Sequence, residues 1–149
     1  MEETIDIGKA GEFAVVSEML FRGFNASIMS VDTGIDIVAI KDGHLYLVQV
    51  KTARKSKQIY FYYDIRMKPF ERFSSKDIFY IFVMRDNDSN SFLILPALEV
   101  QKQINDGKIS TISGYDKYRV VIISYNGKVF IGNRENEVTY FFNNWSLLK

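Results

Sequence analysis

The dipeptide Asp42-Gly43 constrains this chain more than any other feature, because it stands between two apolar runs, "TGIDIVAIK" and "HLYLVQVKTA". Asp-Gly suits a type I′ turn, whose two central residues need positive φ and whose twist matches the strands it joins. A two-residue turn here fixes a register. Lys41 pairs with His44, Ile40 with Leu45, Val38 with Leu47, and Asp36 with Gln49. Side chains alternate between faces, so Lys51 shares the face of Gln49. Asp36, Gln49 and Lys51 therefore gather at the end of the hairpin away from the turn. The rest of that face is Val38, Ile40, Leu45 and Leu47, and the other face carries Ile37, Ala39, Tyr46, Val48 and Val50. Two apolar faces predict a strand pair covered on both sides. A slip of one residue would scatter the polar cluster. His44, beside the turn, is expected at the surface and far from it.

Other punctuation sets the remaining elements. Asp6 can cap a helix over residues 7–22, stopped by Gly23. Ala10, Phe13, Ala14, Leu20, Phe21 and Phe24 form its main apolar stripe, and Val15, Val16 and Met19 spread apolarity round much of the rest. Strands are expected over 26–31, 58–65, 77–85 and 91–96, with a loop at "DNDSN" and a short helix over 69–75. A helix from Ala97 stops at Gly107. Two further strand runs, "YRVVIISY" and "KVFIGN", meet at Asn126-Gly127. No repeat, linker or low-complexity segment interrupts the 149 residues. The expectation is a single α/β domain over residues 1–149, a mixed β-sheet flanked by helices, with the C-terminal half completing the sheet.

Composition excludes several classes. There is no Cys, hence no disulfide and no thiolate metal site. The acidic start "MEETIDIGKAGE" lacks the basic and apolar regions of a signal peptide. No apolar run approaches the roughly 20 residues that span a bilayer. A cytoplasmic protein is expected. Net charge is only +1, yet residues 51–72 hold seven bases and two acids. A basic segment in an otherwise acidic domain is a candidate anion-binding face.

The chemistry follows from the cluster. Glu12 lies beside Val15, Val16 and Met19 on a largely apolar helix surface, so it needs a cation or strong donor nearby, either Lys51 or a metal. Asp36 and Glu12 would supply charge to a hard cation such as Mg²⁺, and the Gln49 side-chain oxygen and Val50 backbone carbonyl would add neutral oxygens. Lys51 would position a water or stabilise a pentavalent phosphoryl transition state. Arg54, Lys55 and Lys57 of "ARKSK" would hold a phosphate backbone, with Lys9, Arg66, Lys68 and Arg72 as further candidates. Taken singly, each residue has a plainer reading: a surface acid near a helix start, a turn Asp, a solvated Lys. The Tyr60–Tyr63 cluster reads as core and sheet face, and Trp145 as an apolar anchor or part of a dimer interface.

In "GKAGE", "GID" and "QVK", taken in that order, the chain resembles the PD-(D/E)XK nuclease superfamily. The pattern is a helix Glu, a strand Asp, then acid-x-Lys on the paired strand. The order looks most like archaeal Holliday-junction resolvases and is similar to the small intron-encoded homing endonucleases of this fold. The resemblance covers residues 7–54. It implies a restriction-endonuclease-like fold, dependence on Mg²⁺ or Mn²⁺, DNA as substrate, endonucleolytic cleavage, and usually a homodimer. It makes Glu12, Asp36, Gln49 and Lys51 the catalytic set. Two positions depart from the pattern. Gln49 stands where an acid is usual and removes a negative charge. Ile35 stands where the Pro would be. Gln49 favours the competing expectation, a non-catalytic DNA-binding module that keeps the nuclease fold.

Overall fold

The structure, a computed structural model, describes residues 4–30, 34–56, 58–72 and 77–148. Its first element is a helix, α1 (Thr4–Phe21). The helix begins two residues before Asp6, which therefore lies inside the first turn and is not the cap. Gly23 closes it as expected. At a φ of 89° it lets its own N–H reach Leu20 O and the Phe24 N–H reach Met19 O, both at 3.0 Å.

The first sheet holds β1 (Asn25–Ile28), β2 (Ile37–Lys41), β3 (His44–Arg54), β5 (Ile78–Asp86) and β6 (Ser89–Pro96), in that spatial order. It is mixed. The β3–β5 pair is parallel and its other pairs are antiparallel. The hairpin register is the one read from the turn, with Lys41 opposite His44 and Val38 opposite Leu47. Asp42 and Gly43 take φ values of 51° and 77°, the pair a type I′ turn requires. Asn126-Gly127 repeats the device between two later strands, with φ values of 55° and 76°. The segment "DNDSN" is shorter than a loop: β5 and β6 run to Asp86 and from Ser89, with Asn87 at a φ of 54°. The expected strand end at Val31 and the helix residues 73–75 lie outside the described residues.

Between β3 and β5 the chain makes β4 (Tyr60–Arg66) and α2 (Met67–Arg72). After β6 come α3 (Ala97–Asn105), β7 (Ser110–Thr111), β8 (Lys117–Tyr125) and β9 (Lys128–Ile131). β4 does not join the first sheet. It pairs with β8, which also pairs with β7 and β9, so the C-terminal strands build a second, antiparallel sheet. Alternating burial along β4 explains this. Phe61, Tyr63 and Ile65 are buried while Tyr62 and Arg66 are exposed, the pattern of a strand with one wet face.

Two cores result. One lies between the sheets, where Phe61, Tyr63 and Ile65 meet Tyr80, Phe82, Leu93, Val120 and Ile122. The other lies under α1, where Val15 and Met19 meet Ile37, Ala39, Val48, Val50 and Ile81. The second sheet leaves the turn end of the hairpin open, so Ile40 and Leu45 are about half exposed and the expected double cover fails there. The stripe of α1 is also rotated from the expected one. Gly11, Val15 and Met19 face the sheet, while Ala10, Phe13, Leu20 and Phe21 are exposed. Apolar residues surround this helix, so periodicity does not select a face. Close approach does: a Cβ on Gly11 would fall 1.7 Å from Thr52 Oγ1. Trp145 is a buried anchor, edge-on to Phe92 at 5.2 Å with the Arg22 guanidinium over its ring. No helix of the described residues is long and apolar enough to cross a membrane.

Candidate active site

Strands β2 and β3 stop pairing at Ile37 and Val48, and the site begins where they part. Asp36 lies one residue before β2. Its N–H donates to Val48 O at 2.9 Å, and its carbonyl accepts from the Met29 N–H at 2.8 Å. Beyond that point the Val50 N–H has no β2 carbonyl to meet, and it donates to Asp36 Oδ2 at 2.8 Å. Gln49 Nε2 donates to the same oxygen at 2.9 Å. Both backbone groups of a strand residue face the same neighbour in an antiparallel ladder, so the Val50 carbonyl also faces the Asp36 side.

Glu12 reaches this place from α1 with 16% of its side chain exposed. Its partner is Lys9, one turn earlier, whose Nζ lies 3.1 Å from Glu12 Oε1. Sequence reasoning expects Lys51 or a metal in that role. Lys9 supplies the counter-charge because residues three apart share a helix face.

Glu12, Asp36, Gln49, Val50 and Lys51 line one cavity of about 340 Å³. Gly8, Gly34, Ile65, Arg66, Pro69 and Tyr80 complete its wall. Tyr80 stands next to Gln49 in the parallel β3–β5 register. That pairing is not legible from sequence, since nothing local says which strand lies beside β3. Burial, and secondarily the Asp36 charge, pushes the Tyr80 phenol well above its ordinary pKa, so it stays neutral. The site thus combines two carboxylates, an amide, a lysine and a phenol that keeps its proton.

The donor chemistry fits a hard divalent cation: carboxylate oxygens from Glu12 and Asp36, an amide oxygen from Gln49 and a carbonyl oxygen from Val50. With Gln49 Nε2 turned to Asp36, the amide oxygen is the atom left for another partner. The set is poor in charge. Among the described residues no three His, Cys, Asp or Glu side chains cluster as a metal site.

The basic candidates divide. Arg66 is at the cavity, and Lys68 and Arg72 follow it, exposed on α2. Arg54 lies instead in a separate hollow of about 300 Å³ with Gly11, Thr52 and Arg85. Lys55 pairs with Asp86 at 3.2 Å. Lys57 lies outside the described residues. His44 is exposed, stacked on Tyr46 away from the cavity.

No protein-family profile matches the sequence, and no curated protein matches it. Solved structures do resemble it. A bacterial homing endonuclease, I-Ssp6803I, superposes with a TM-score of 0.66 at 19% identity, covering 99% of this chain and 92% of that one. Hjc, a Holliday junction resolvase from the archaeal hyperthermophile Archaeoglobus fulgidus, superposes with a TM-score of 0.47 at 13% identity, covering 75% and 81%. The homing-endonuclease likeness runs over nearly the whole chain, well past the residues that carry the sequence resemblance. This chain has that nuclease's fold.

Proposed function

We propose that this chain is a metal-dependent DNA endonuclease that hydrolyses phosphodiester bonds. One observation carries the reading: Glu12, Asp36, Gln49 and Lys51 come from three separate elements and line the same cavity. A surface acid, a turn Asp and a solvated Lys have no reason to converge. The fold shared with a homing endonuclease supports it.

Glu12, Asp36, the Gln49 amide oxygen and the Val50 carbonyl would hold Mg²⁺, with Mn²⁺ as a substitute. Such an ion lowers the pKa of a water and stabilises charge on a phosphoryl oxygen. The chain's own groups do the rest. The Gln49 and Val50 N–H groups hold the Asp36 carboxylate in a fixed orientation. Lys9 neutralises part of the Glu12 charge. The Lys51 ammonium stabilises negative charge on the phosphoryl oxygens or holds the attacking water. Arg66, Lys68 and Arg72 hold the backbone on the α2 side, and Lys9 sits at the rim. Arg54 and Lys55 serve the far end of β3, and Lys57, outside the described residues, is a further candidate for the backbone. A homodimer fits the exposed Phe13, Leu20 and Phe21 on the outer side of α1, and a DNA substrate fits a cytoplasmic protein.

The test is a cleavage screen of four-way junction, linear duplex, flap and single-stranded DNA, each with Mg²⁺ and with EDTA. Junction cutting without sequence preference identifies a resolvase, and cutting of one long duplex site a homing endonuclease. A second reading, a DNA-binding module without catalysis, is favoured by the amide at position 49. Binding of duplex or junction DNA with no cleavage in either Mg²⁺ or Mn²⁺ would establish it.

A further inference from the structure

The second sheet turns one face to the core and the other outward, and the outward face begins at the cavity. Along β4 and β8 its cross-strand pairs are Arg66 with Lys117, Asp64 with Arg119, and Tyr62 with Val121. Arg66 is itself part of the cavity wall. The first pair sets two cations directly opposite each other, an arrangement that destabilises an antiparallel ladder. Among the described residues neither forms an ion pair. Lys117 Nζ also lies 6.0 Å from the Tyr115 ring centroid, and an external anion bridging the two cations would relieve their repulsion beside the cavity.

The next pair differs. Arg119 Nε lies 2.6 Å from Asp64 Oδ1, with both side chains about two-fifths exposed. The carboxylate orients the guanidinium while part of it stays open to solvent. Tyr62, 47% exposed, stacks on Tyr60 with ring centroids 6.1 Å apart. The face therefore passes from cations, through an oriented arginine, to an aromatic surface. Lys68 and Arg72 lie on α2, which follows β4 directly.

We propose that the outer face of the β4–β8 pair binds duplex DNA continuous with the cavity, with Arg66 and Lys117 on a backbone phosphate and Arg119 and Tyr62 extending the same surface. The proposal rests on the endonuclease reading and adds residues from the C-terminal half, where the sequence carries no motif.

The experiment is fluorescence anisotropy of a labelled DNA duplex in EDTA across a salt series, so that no chemistry intervenes. Parent, Lys117→Gln, Lys117→Arg and Lys128→Gln are compared after thermal melts show each folded. Lys117→Gln is expected to bind several-fold more weakly, with the slope of log affinity against log salt reduced by about 0.9, one phosphate contact. Lys117→Arg restores the slope, and Lys128→Gln, distant on β9, leaves it unchanged. An unchanged slope in Lys117→Gln, with parent binding intact, would overturn the β4–β8 surface and leave the endonuclease reading standing. Failure of the parent to bind any duplex would also overturn this surface, and leave the endonuclease reading to the junction, flap and single-stranded arms of the cleavage screen.

Discussion

Gln49 Nε2 donates to Asp36 Oδ2 at 2.9 Å, so the amide at this position holds the neighbouring acid in place of adding a second charge beside it. That bond explains how the site tolerates low charge. Among the described residues, Asp36 Oδ2 accepts from two N–H donors, one from a side chain and one from the backbone.

Gln49→Glu separates the two roles. Without metal, a carboxylate there would face Asp36 with no N–H to offer, costing about 1–3 kcal/mol. With metal, the added charge strengthens binding. Thermal unfolding is expected to show a lower Tm than the parent in EDTA and a larger rise on adding Mg²⁺. Identical Tm values in both conditions would show that position 49 does not face a cation site.

Gly11 sets the depth of α1. A Cβ there would lie 1.7 Å from Thr52 Oγ1, and the neighbours of these two residues in the chain include Glu12 and Lys51. Ala is the better helix former by about 1 kcal/mol, yet overpacking costs about 1–3 kcal/mol. Gly11→Ala should therefore destabilise on balance and displace Glu12. Thr52→Ala removes the obstructing hydroxyl, which has no hydrogen-bond partner. The Thr52 Cβ would still lie 2.9 Å from the added one, so the double variant should regain part of the stability, giving a coupling of about 0.5–3 kcal/mol in a double-mutant cycle. Additive effects would mean that the helix is seated elsewhere.

Alkaline stability reports the buried phenols. Burial raises the pKa of Tyr63, whose hydroxyl donates to Val83 O at 2.9 Å, and of Tyr80. An unfolded tyrosine titrates near 10. Below that pH both states keep their protons and the contribution is fully present. Above it the unfolded chain ionises first, and stability is lost as pH rises toward the folded values. Each phenol contributes a slope of up to about 1.4 kcal/mol per pH unit in that window. Denaturant melts at about pH 8 and pH 11 should show a smaller loss for Tyr63→Phe than for the parent. Equal losses would mean that Tyr63 is accessible in the folded state.

The legible parts of this molecule are those governed by local chemistry. Asp42-Gly43 gave the register that puts Asp36 by Gln49, because a type I′ turn admits one pairing. Gly23 marked the end of α1 because the left-handed region favours glycine. What stayed hidden is decided over distance. The buried face of α1 follows from the Gly11–Thr52 approach, while apolar residues all round the helix leave periodicity without a preference. Tyr80 enters the site through a parallel pairing that no turn encodes. β4 joins β8, more than fifty residues later, so the second sheet and its Arg66–Lys117 pair have no signature in sequence. The resemblance in "GKAGE", "GID" and "QVK" reached the fold because the residues that build the site also occupy its first elements.

Phosphodiester cleavage in the cavity is the central claim. The direct measurement is single-turnover cleavage of the best DNA substrate in Mg²⁺ by the parent, Asp36→Ala and Lys51→Ala, with DNA affinity measured in parallel in EDTA. The parent should cleave in Mg²⁺ and not in EDTA. Each variant should lose about 10²-fold or more in rate while still binding DNA. Parent-like cleavage by both variants would contradict the assignment of the cavity as the active site.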